Sequence, residues 1–474
     1  MPGADLMTSF NDYCGLIINQ FAHVYAAYYD ADFKETVEHI ESAKSKLAYI
    51  EVKAKEKGYP LYLIIDEYDN FTNVILSEHG QRMFHDLTHA SGFYREYFKQ
   101  FKGMFDRIFM MGVSPVTLDD LSSGYNIDWN ISVDPRFNAM MGFDETDVRE
   151  MFRYYQQNDM LKGDAEAMIT EMKPWYDNYC FARESLGDDR IFNCDMTLYY
   201  LRWQVDFHCS PGEMADKNIR TDYSKLKMLA RIDRDSVQEG DRMSTIEKIA
   251  AEGDIFVDLH TSFPAERITD IDNFRSLLYY YGLLTMCGTR GDLIKMSIPN
   301  NCVREQYFGF LRDYYQKYSS IDLHYLNVML TDMAYDGRWK PFFESVAQAY
   351  RENSAVRDAM EGERNLQGFL KAYLALASYY LVEPELEMNY GYCDFFLLPD
   401  KKRYPDVKHS YILELKYATR TATDAELEVQ ALEGRNQLLQ YSEDKIVRCL
   451  SEGTTLHRLL LQFRGWDLVR CEEV

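Results

Sequence analysis

Two acids and a lysine stand out near the C-terminal end of the chain, in the stretch GYCDFFLLPDKKRYPDVKHSYILELK, residues 391–416. The apolar runs FFLL and YILEL flank a polar segment that is rich in turn residues, which is typical of two strands and a loop. Asp394 comes directly before the first run, and Glu414 and Lys416 lie two residues apart in the second. Because side chains alternate along a strand, Glu414 and Lys416 share one face. The pattern therefore places an acid and an amine side by side, with a second acid across the hairpin.

Such a set of side chains has a chemical use. Two carboxylates that converge on one side of a hairpin can hold a hard divalent cation such as Mg²⁺ through oxygen ligands. A lysine beside them can orient or polarise an attacking water, or offset charge that develops on a phosphate. Phosphodiester hydrolysis needs these groups. The alternative is a solvated strand face, since an acid and a lysine at this spacing are most often exposed to water.

A second acidic cluster follows the apolar run LYLII, where Asp66 and Glu67 come at the end of a predicted strand. In nucleotide-hydrolysing folds an Asp at this position helps to hold Mg²⁺, and a neighbouring acid can orient water. An acidic turn after a core strand explains the same residues. The phosphate-cradling pattern G-x-x-x-x-G-K-[ST] does not occur anywhere in the 474 residues, so the usual partner of such acids is missing.

Composition narrows the class of protein. A chain of 474 residues with 46% apolar and 15% aromatic residues can fill two to four folded domains. The first residues contain acids and no apolar run, and no run approaches the roughly 18 apolar residues of a membrane span, so we expect neither a secretory signal nor a membrane partner. Nine cysteines form no C-x-x-C pair, which indicates reduced thiols and a cytoplasmic location.

Charge bears on nucleic acid as a partner. The net charge of −24 argues against a protein that coats nucleic acid, because phosphate binding depends on Lys and Arg. The segment from Asp394 to Arg420 differs from the rest, with six Lys or Arg against four acids. DNA or RNA therefore stays open as a partner of this segment.

The apolar pattern predicts an α/β protein. Helices are expected at the N-terminus, including one charged helix over KETVEHIESAKSKLAYIEVKAKEKG. The runs LYLIID and RIFMMGV are expected to form neighbouring or near-neighbouring parallel strands that are buried on both faces. Residues after about 145 are expected to be mostly helical. The segment NFRSLLYYYGLLTMCGTRGDLIKMSIP predicts a helix and two short strands about a glycine turn. These strands fit either a small winged-helix element or another α/β hairpin. A helix follows the C-terminal hairpin, and RLLLQFRGWDLVRC is expected to form one last strand.

Several motifs in one order resemble a known family: LIIDEYDNF, MMGVSPVTLDDLSSGYNI, MMGFDETDV, PWYDNYCF and LLYYYGLLTM. They are similar to the bacterial AAA-ATPase-like proteins that carry a C-terminal nuclease domain of the PD-(D/E)XK superfamily, and the resemblance covers nearly the whole chain. It implies an incomplete P-loop NTPase (AAA-like) parallel sheet in residues 1–150, and a helical region with the winged-helix candidate in residues 151–340. For residues 341–474 it implies an α/β/α restriction-endonuclease-like domain.

The resemblance also implies a set of nuclease-site residues. The superfamily pattern of G-x-x-D, acid-x-Lys and Q-x-x-x-Y corresponds in this sequence to Asp394, Glu414, Lys416, Gln437 and Tyr441. By the same resemblance, Asp394 and Glu414 would be metal ligands and Mg²⁺ the cofactor. A further acid from an upstream helix corresponds to Glu363. Gln367 departs from the family, since members often have a histidine at this position.

For the N-terminal region, the resemblance makes Asp66 and Glu67 Walker B acids and places Ser114 of GVSP at a nucleotide-sensor position. Family members usually begin with a strand and a Walker A-like loop upstream of the segment where this chain starts. The chain therefore resembles an N-terminally shortened member, and ATP, a ligand of the family, is in doubt for this polypeptide.

Three functions follow from these expectations. The first is a Mg²⁺-dependent nuclease attached to a degenerate ATPase-like domain, which the complete set of nuclease-site residues favours. The second is a regulatory or interaction protein without catalysis, which the acidity and the missing phosphate loop favour. The third is an ATP-binding protein, if the true N-terminus is longer.

We predict that the chain binds Mg·ATP weakly or not at all. Without a phosphate loop it lacks the backbone N–H donors and the lysine that make most contacts to a triphosphate. Isothermal titration calorimetry measures this directly, and a micromolar dissociation constant would contradict the prediction.

Overall fold

A computed structural model describes most of the chain. The described residues are 2–69, 101, 103–113, 115, 129–188, 190–216, 226, 229, 239–263, 267, 270–316, 321–352, 362–376, 379–388, 391–401 and 403–474. They belong to two compact units. Of these described residues, unit 1 takes those within Met1–Ile131 and Asp258–Gly282, and unit 2 takes those within Ser132–Ala230, Val237–Val257 and Leu283–Val474.

The helices and strands are numbered in chain order. The helices are α1 (Pro2–Tyr25), α2 (Phe33–His39), α3 (Ala43–Lys57), α4 (Glu145–Gln157), α5 (Ala165–Tyr176), α6 (Cys194–Phe207), α7 (Glu239–Glu252), α8 (Ile271–Tyr280), α9 (Asn301–Gln316), α10 (Leu323–Asp336), α11 (Lys340–Glu352), α12 (Glu363–Leu374), α13 (Asp424–Ser442) and α14 (Lys445–Leu450). The strands are β1 (Tyr62–Ile65), β2 (Arg107–Met110), β3 (Asp254–Val257), β4 (Thr285–Arg290), β5 (Leu293–Ser297), β6 (Tyr380–Met388), β7 (Gly391–Pro399), β8 (His409–Ala418), β9 (Thr455–Arg464) and β10 (Asp467–Glu473).

Unit 1 contains a pair of parallel strands. β1 and β2 pair in parallel with Tyr62 opposite Arg107, which confirms the expected neighbouring strands. Burial on both faces was wrong, because Tyr62 and Ile64 are 64% and 70% exposed. Leu63 and Ile65, on the other face of β1, pack against a small apolar cluster. The single charged helix that was expected after α1 is also wrong, since α2 and α3 are separate helices.

The end of β1 leads into a turn that an aspartate closes. Asp69 is buried, and both of its carboxylate oxygens accept a hydrogen bond from the Val113 backbone N–H, at 3.2 Å each. Gly112 passes so close that a Cβ there would lie 2.4 Å from Asp69 Oδ1. The glycine therefore makes the room in which the carboxylate joins the ends of the two strands.

The helical part of unit 2 precedes a small antiparallel sheet. α4 begins with a capping box between Asp144 and Asp147, and α4, α5 and α6 share one apolar core. β4 and β5 pair antiparallel, as expected, and Gly291 between them has a positive φ of 62° that favours glycine. β3 extends this sheet along β5, a strand that the sequence did not predict.

The C-terminal part of unit 2 is built on a five-stranded sheet in the order β10-β9-β8-β7-β6. β8 and β9 are parallel, and the other neighbours are antiparallel. The expectation of one last strand was wrong, because Gly465 turns the chain so that β9 and β10 form a hairpin. The sequence also did not predict β6.

Helices cover both faces of β8. On one face, Gly434 of α13 lies against Leu460 and Lys416. On the other, the Tyr411 hydroxyl donates a hydrogen bond to the Met333 carbonyl oxygen of α10, at 2.7 Å. The central strand of this sheet is therefore shielded from water along most of its length. No helix in the described part of the chain is long and apolar enough to cross a membrane.

We predict that Gly112→Ala destabilises unit 1. The new methyl group would overlap Asp69 Oδ1 and the Tyr68 ring, and such overpacking typically costs about 1–3 kcal/mol. Hydrogen exchange of the β1 amides, measured by mass spectrometry, should become faster. Gly187→Ala is the matched control, because no atom lies within 4 Å of its added Cβ. Equal exchange in the two variants would contradict the prediction.

Candidate metal centre

Asp394 and Glu414 lie on neighbouring antiparallel strands. In β7 and β8, Phe395 is opposite Leu413, and extending this register by one residue places Asp394 opposite Glu414. Residues directly opposite one another in an antiparallel pair project their side chains to the same face of the sheet. Strand pairing alone therefore brings the two carboxylates together.

Two donors fix the Asp394 carboxylate. Its Oδ2 accepts a hydrogen bond from the Leu415 backbone N–H at 2.7 Å, and its Oδ1 accepts one from the Gln367 side-chain amide at 3.0 Å. Gln367 is the residue that departs from the family pattern, and here it lies against the candidate metal ligand. The sequence offered one signal for this role, since Gln367 lies one helical turn after Glu363 on α12.

Glu414 is paired with Lys416. The Lys416 ammonium donates a hydrogen bond to Glu414 Oε1 at 2.7 Å, while the two side chains are 19% and 4% exposed, respectively. This burial excludes a solvated strand face. Gly434 of α13 permits it, because a Cβ at that position would lie 3.4 Å from Lys416 Cε and 2.7 Å from a Leu460 methyl group.

The surroundings of Asp394 and Glu414 raise the pKa of both carboxyl groups. Burial raises the pKa of Asp394, and the Glu363 charge raises it further, whereas the Leu415 N–H, Lys416 and Lys371 lower it. Burial also raises the pKa of Glu414, and the Asp394 charge adds to this effect. Two acids in one poorly hydrated place resist simultaneous ionisation. A nearby cation would relieve this cost.

The helix α13 brings the amide and phenol of the motif to the same site. Gln437 and Tyr441 lie one turn apart on α13. Burial raises the pKa of Tyr441, and the Gln437 side chain lowers it. Glu414 contributes to the raised pKa of Tyr441, after burial, which places the phenol near the carboxylates. The motif residues of β7, β8 and α13 therefore belong to one cluster.

Two oxygen atoms of this cluster show whether a metal ion fits. Glu414 Oε2 and Gln437 Oε1 are buried, and neither has a hydrogen-bond partner among the described residues. Buried polar atoms are normally satisfied. Oxygen atoms without partners, beside two carboxylates, match the ligand preference of Mg²⁺ and of the waters that it retains. The side chains present therefore fit a hard divalent cation.

The number of protein ligands is small. Within the described ranges, no group of three or more His, Cys, Asp or Glu side chains is arranged to hold a metal ion. Mg²⁺ is often held by one or two carboxylates and completes its octahedron with waters and substrate oxygens. Asp394 and Glu414 are the two carboxylates that would serve here.

Two charged residues of α12 complete the surroundings. Glu363 is exposed at the start of the helix, and its charge acts on both carboxylates. Lys371, two turns later, is buried, donates a hydrogen bond to the Ala251 carbonyl oxygen, and lies 5.7 Å from the centre of the Phe395 ring. Sequence reasoning missed Lys371, because only the packing of α12 reveals a buried cation there.

The N-terminal candidates are arranged differently. Asp66 and Glu67 are exposed, and Glu67 has a positive φ of 51°. Asp69, which was not a candidate, is the buried acid at this strand end. Ser114 lies outside the described residues.

Two family models match the chain. Residues 3–122 match the model described as predicted AAA-ATPase, and residues 361–473 match the PD-(D/E)XK nuclease superfamily. A search of curated proteins and a search of solved structures found no match. The chain thus has an AAA-ATPase-like N-terminal region and a C-terminal domain of that nuclease superfamily, which confirms the resemblance.

We predict that Glu414→Gln stabilises the metal-free protein at pH 8. Folding raises the pKa of the Glu414 carboxyl, so the free energy of unfolding falls as the pH rises and this buried group ionises. Glutamine removes the charge and keeps an acceptor for Lys416. The gain should be on the order of 1–3 kcal/mol, seen as a higher melting temperature at pH 8 and a smaller gain at pH 5.

The control for this measurement is Glu433→Gln, a change at an exposed glutamate of α13. It should leave the melting temperature nearly unchanged at both pH values. A Glu414→Gln protein that is less stable than the parent at pH 8 would show that the buried charge is not a burden.

Proposed function

We propose that the PD-(D/E)XK nuclease superfamily domain hydrolyses phosphodiester bonds in DNA or RNA with the help of Mg²⁺. The observation that carries this proposal is the cluster of Asp394, Glu414 and Lys416. Glu414 is buried there, its Oε2 has no hydrogen-bond partner among the described residues, and Lys416 lies beside a glycine of α13. A structural ion pair would not leave a carboxylate oxygen buried without a partner.

Each side chain has a distinct task in this proposal. Asp394 and Glu414 would hold the metal ion, which when bound supplies a Lewis acid for the scissile phosphate and lowers the pKa of a water. Lys416, fixed against Glu414, would orient the attacking water or offset charge on the phosphate oxygens. Gln437 and Tyr441 would position Lys416 and the Glu414 carboxylate from α13. Gln367 would keep Asp394 in its orientation.

The N-terminal region has a proposal of its own. We infer that residues 1–150 form an AAA-like core and that Asp66, Glu67 and Ser114 would be its nucleotide-site residues. The parallel pairing of β1 with β2 supports a P-loop NTPase-like sheet. The β4–β5 hairpin supports a winged-helix element in residues 151–340. Residues 341–474 would form the nuclease domain.

A regulatory or interaction protein without catalysis is the second candidate. The net charge of −24 favours it, because an acidic chain repels nucleic acid. This function and the first differ in whether Lys416 affects turnover.

We predict that Lys416→Met abolishes metal-dependent cleavage. Methionine keeps most of the side-chain stem that packs beside Gly434 but removes the charge, so the fold should survive. Truncation to alanine would also remove that packing, because Lys416 is mostly covered. The loss should be about 10²–10³-fold, as for other groups that stabilise transition-state charge. Labelled single- and double-stranded DNA and RNA, with Mg²⁺ or Mn²⁺, provide the assay.

Lys445→Met is the matched control, since Lys445 is exposed at the start of α14. It should cleave like the parent protein. If the parent cleaves none of these substrates with either metal, or if Lys416→Met cleaves as well as the parent, the interaction protein replaces the nuclease as the proposed function.

A further inference from the structure

The face of β8 opposite to the carboxylates carries a pair of histidines in direct contact. His409 of β8 and His457 of β9 approach with 2.9 Å between His409 Nδ1 and His457 Nε2. The second nitrogen of His457, Nδ1, lies 2.7 Å from Glu473 Oε1 of β10. The pair therefore links β8, β9 and β10.

One proton lies between the two rings. A carboxylate can only accept, so His457 Nδ1 carries the N–H that faces Glu473. His457 Nε2 is then the acceptor, and His409 Nδ1 donates to it across 2.9 Å. Two neutral imidazoles therefore satisfy both hydrogen bonds.

The surrounding groups hold the rings in place. Tyr411 stacks on His457 with ring centres 4.8 Å apart, and its hydroxyl donates to the Met333 carbonyl oxygen of α10. The Trp339 indole N–H donates to Glu473 Oε2 at 3.3 Å. Gly337, which ends α10 with a positive φ of 71°, leaves room for the His409 ring, because a Cβ there would be 2.8 Å from its Cε1. The turn between α10 and α11 is therefore fitted to the histidines.

We propose that His409 and His457 form a proton-dependent joint, which fastens the α10–α11 turn to β8, β9 and β10 while the pair shares one proton and opens when acid adds a second. A fully protonated pair would face two N–H donors towards each other and bring two cations into contact. Two N–H groups that face each other cannot form a hydrogen bond, so the contact between the rings is lost.

The charges around His409 set the pH at which this happens. Burial lowers the pKa of His409, and His457 and Lys408 lower it further, whereas Asp336 of α10 raises it. Asp336 is itself paired with Arg338. From α11, Lys340 and Glu344 act on Cys471 of β10. A histidine whose folded pKa is depressed stabilises the protein above its unfolded pKa of about 6.5 and loses that contribution as the pH falls.

We predict that backbone amides at 334–340 lose protection from hydrogen exchange between pH 7.5 and pH 5.5, by about tenfold or more after correction for intrinsic exchange. Asn cannot take up a proton, so His409→Asn should remove this pH dependence. His324→Asn, at an exposed histidine of the same helix α10, is the matched control and should keep it. Exchange that does not depend on pH in the parent protein would overturn the proposal.

Two further variants keep both histidines and test the joint even if His409→Asn does not fold. Asp336→Asn removes a charge that raises the pKa of His409 in the closed form. The closed form then loses more stability as the pH falls, so opening should shift to higher pH. Lys408→Gln removes an exposed charge that lowers the pKa of His409. The closed form then loses less stability as the pH falls, so opening should shift to lower pH. Shifts in the same direction, or no shift in either variant, would overturn the proposal. None of these outcomes depends on nuclease activity.

Discussion

The C-terminal domain depends on two carboxylates that are held opposite each other where little water reaches them. Asp394 and Glu414 are brought together by the register of β7 and β8, and a sheet can hold two like charges this way only if other groups compensate. Lys416 supplies one compensating charge at 2.7 Å from Glu414, and Lys371 supplies a more distant one. The pKa of both acids remains raised, so the compensation is incomplete. A bound cation would relieve the remaining cost of ionising the two carboxyl groups.

This constraint explains features of the neighbouring helices that packing alone does not require. Gly434 is costly in the middle of a helix, yet any larger residue would push against Lys416 and Leu460. Gln367 offers its amide to Asp394 from α12, where an apolar residue would pack equally well but would leave Oδ1 without a donor. The helices therefore serve the orientation of the acids as well as the burial of the sheet.

Much of this site could be predicted from the sequence, because it depends on local rules. The period of two along a strand joins Glu414 to Lys416, and the i, i+4 spacing joins Gln437 to Tyr441. Burial could not be predicted in the same way. Nothing in the sequence around Glu414 indicates that α13 covers it. Likewise, nothing in the sequence around Lys371 indicates that it packs against α7. For β1 the prediction was wrong in the opposite direction, because its apolar run predicted burial on both faces and one face is exposed.

The same period of two gives β8 two separate chemistries. Its even-numbered residues bring Glu414 and Lys416 to the face that α13 covers, and its odd-numbered residues bring His409 and Tyr411 to the face beside α10. Both faces bury ionisable groups, so neither can be explained as ordinary core. On one face negative charge is in excess and a metal ion would balance it. On the other, a single proton between two rings completes a chain of hydrogen bonds that ends at Glu473. One strand therefore carries two charge clusters whose stability responds in opposite directions to acid, since protonation relieves the carboxylates and disrupts the histidines.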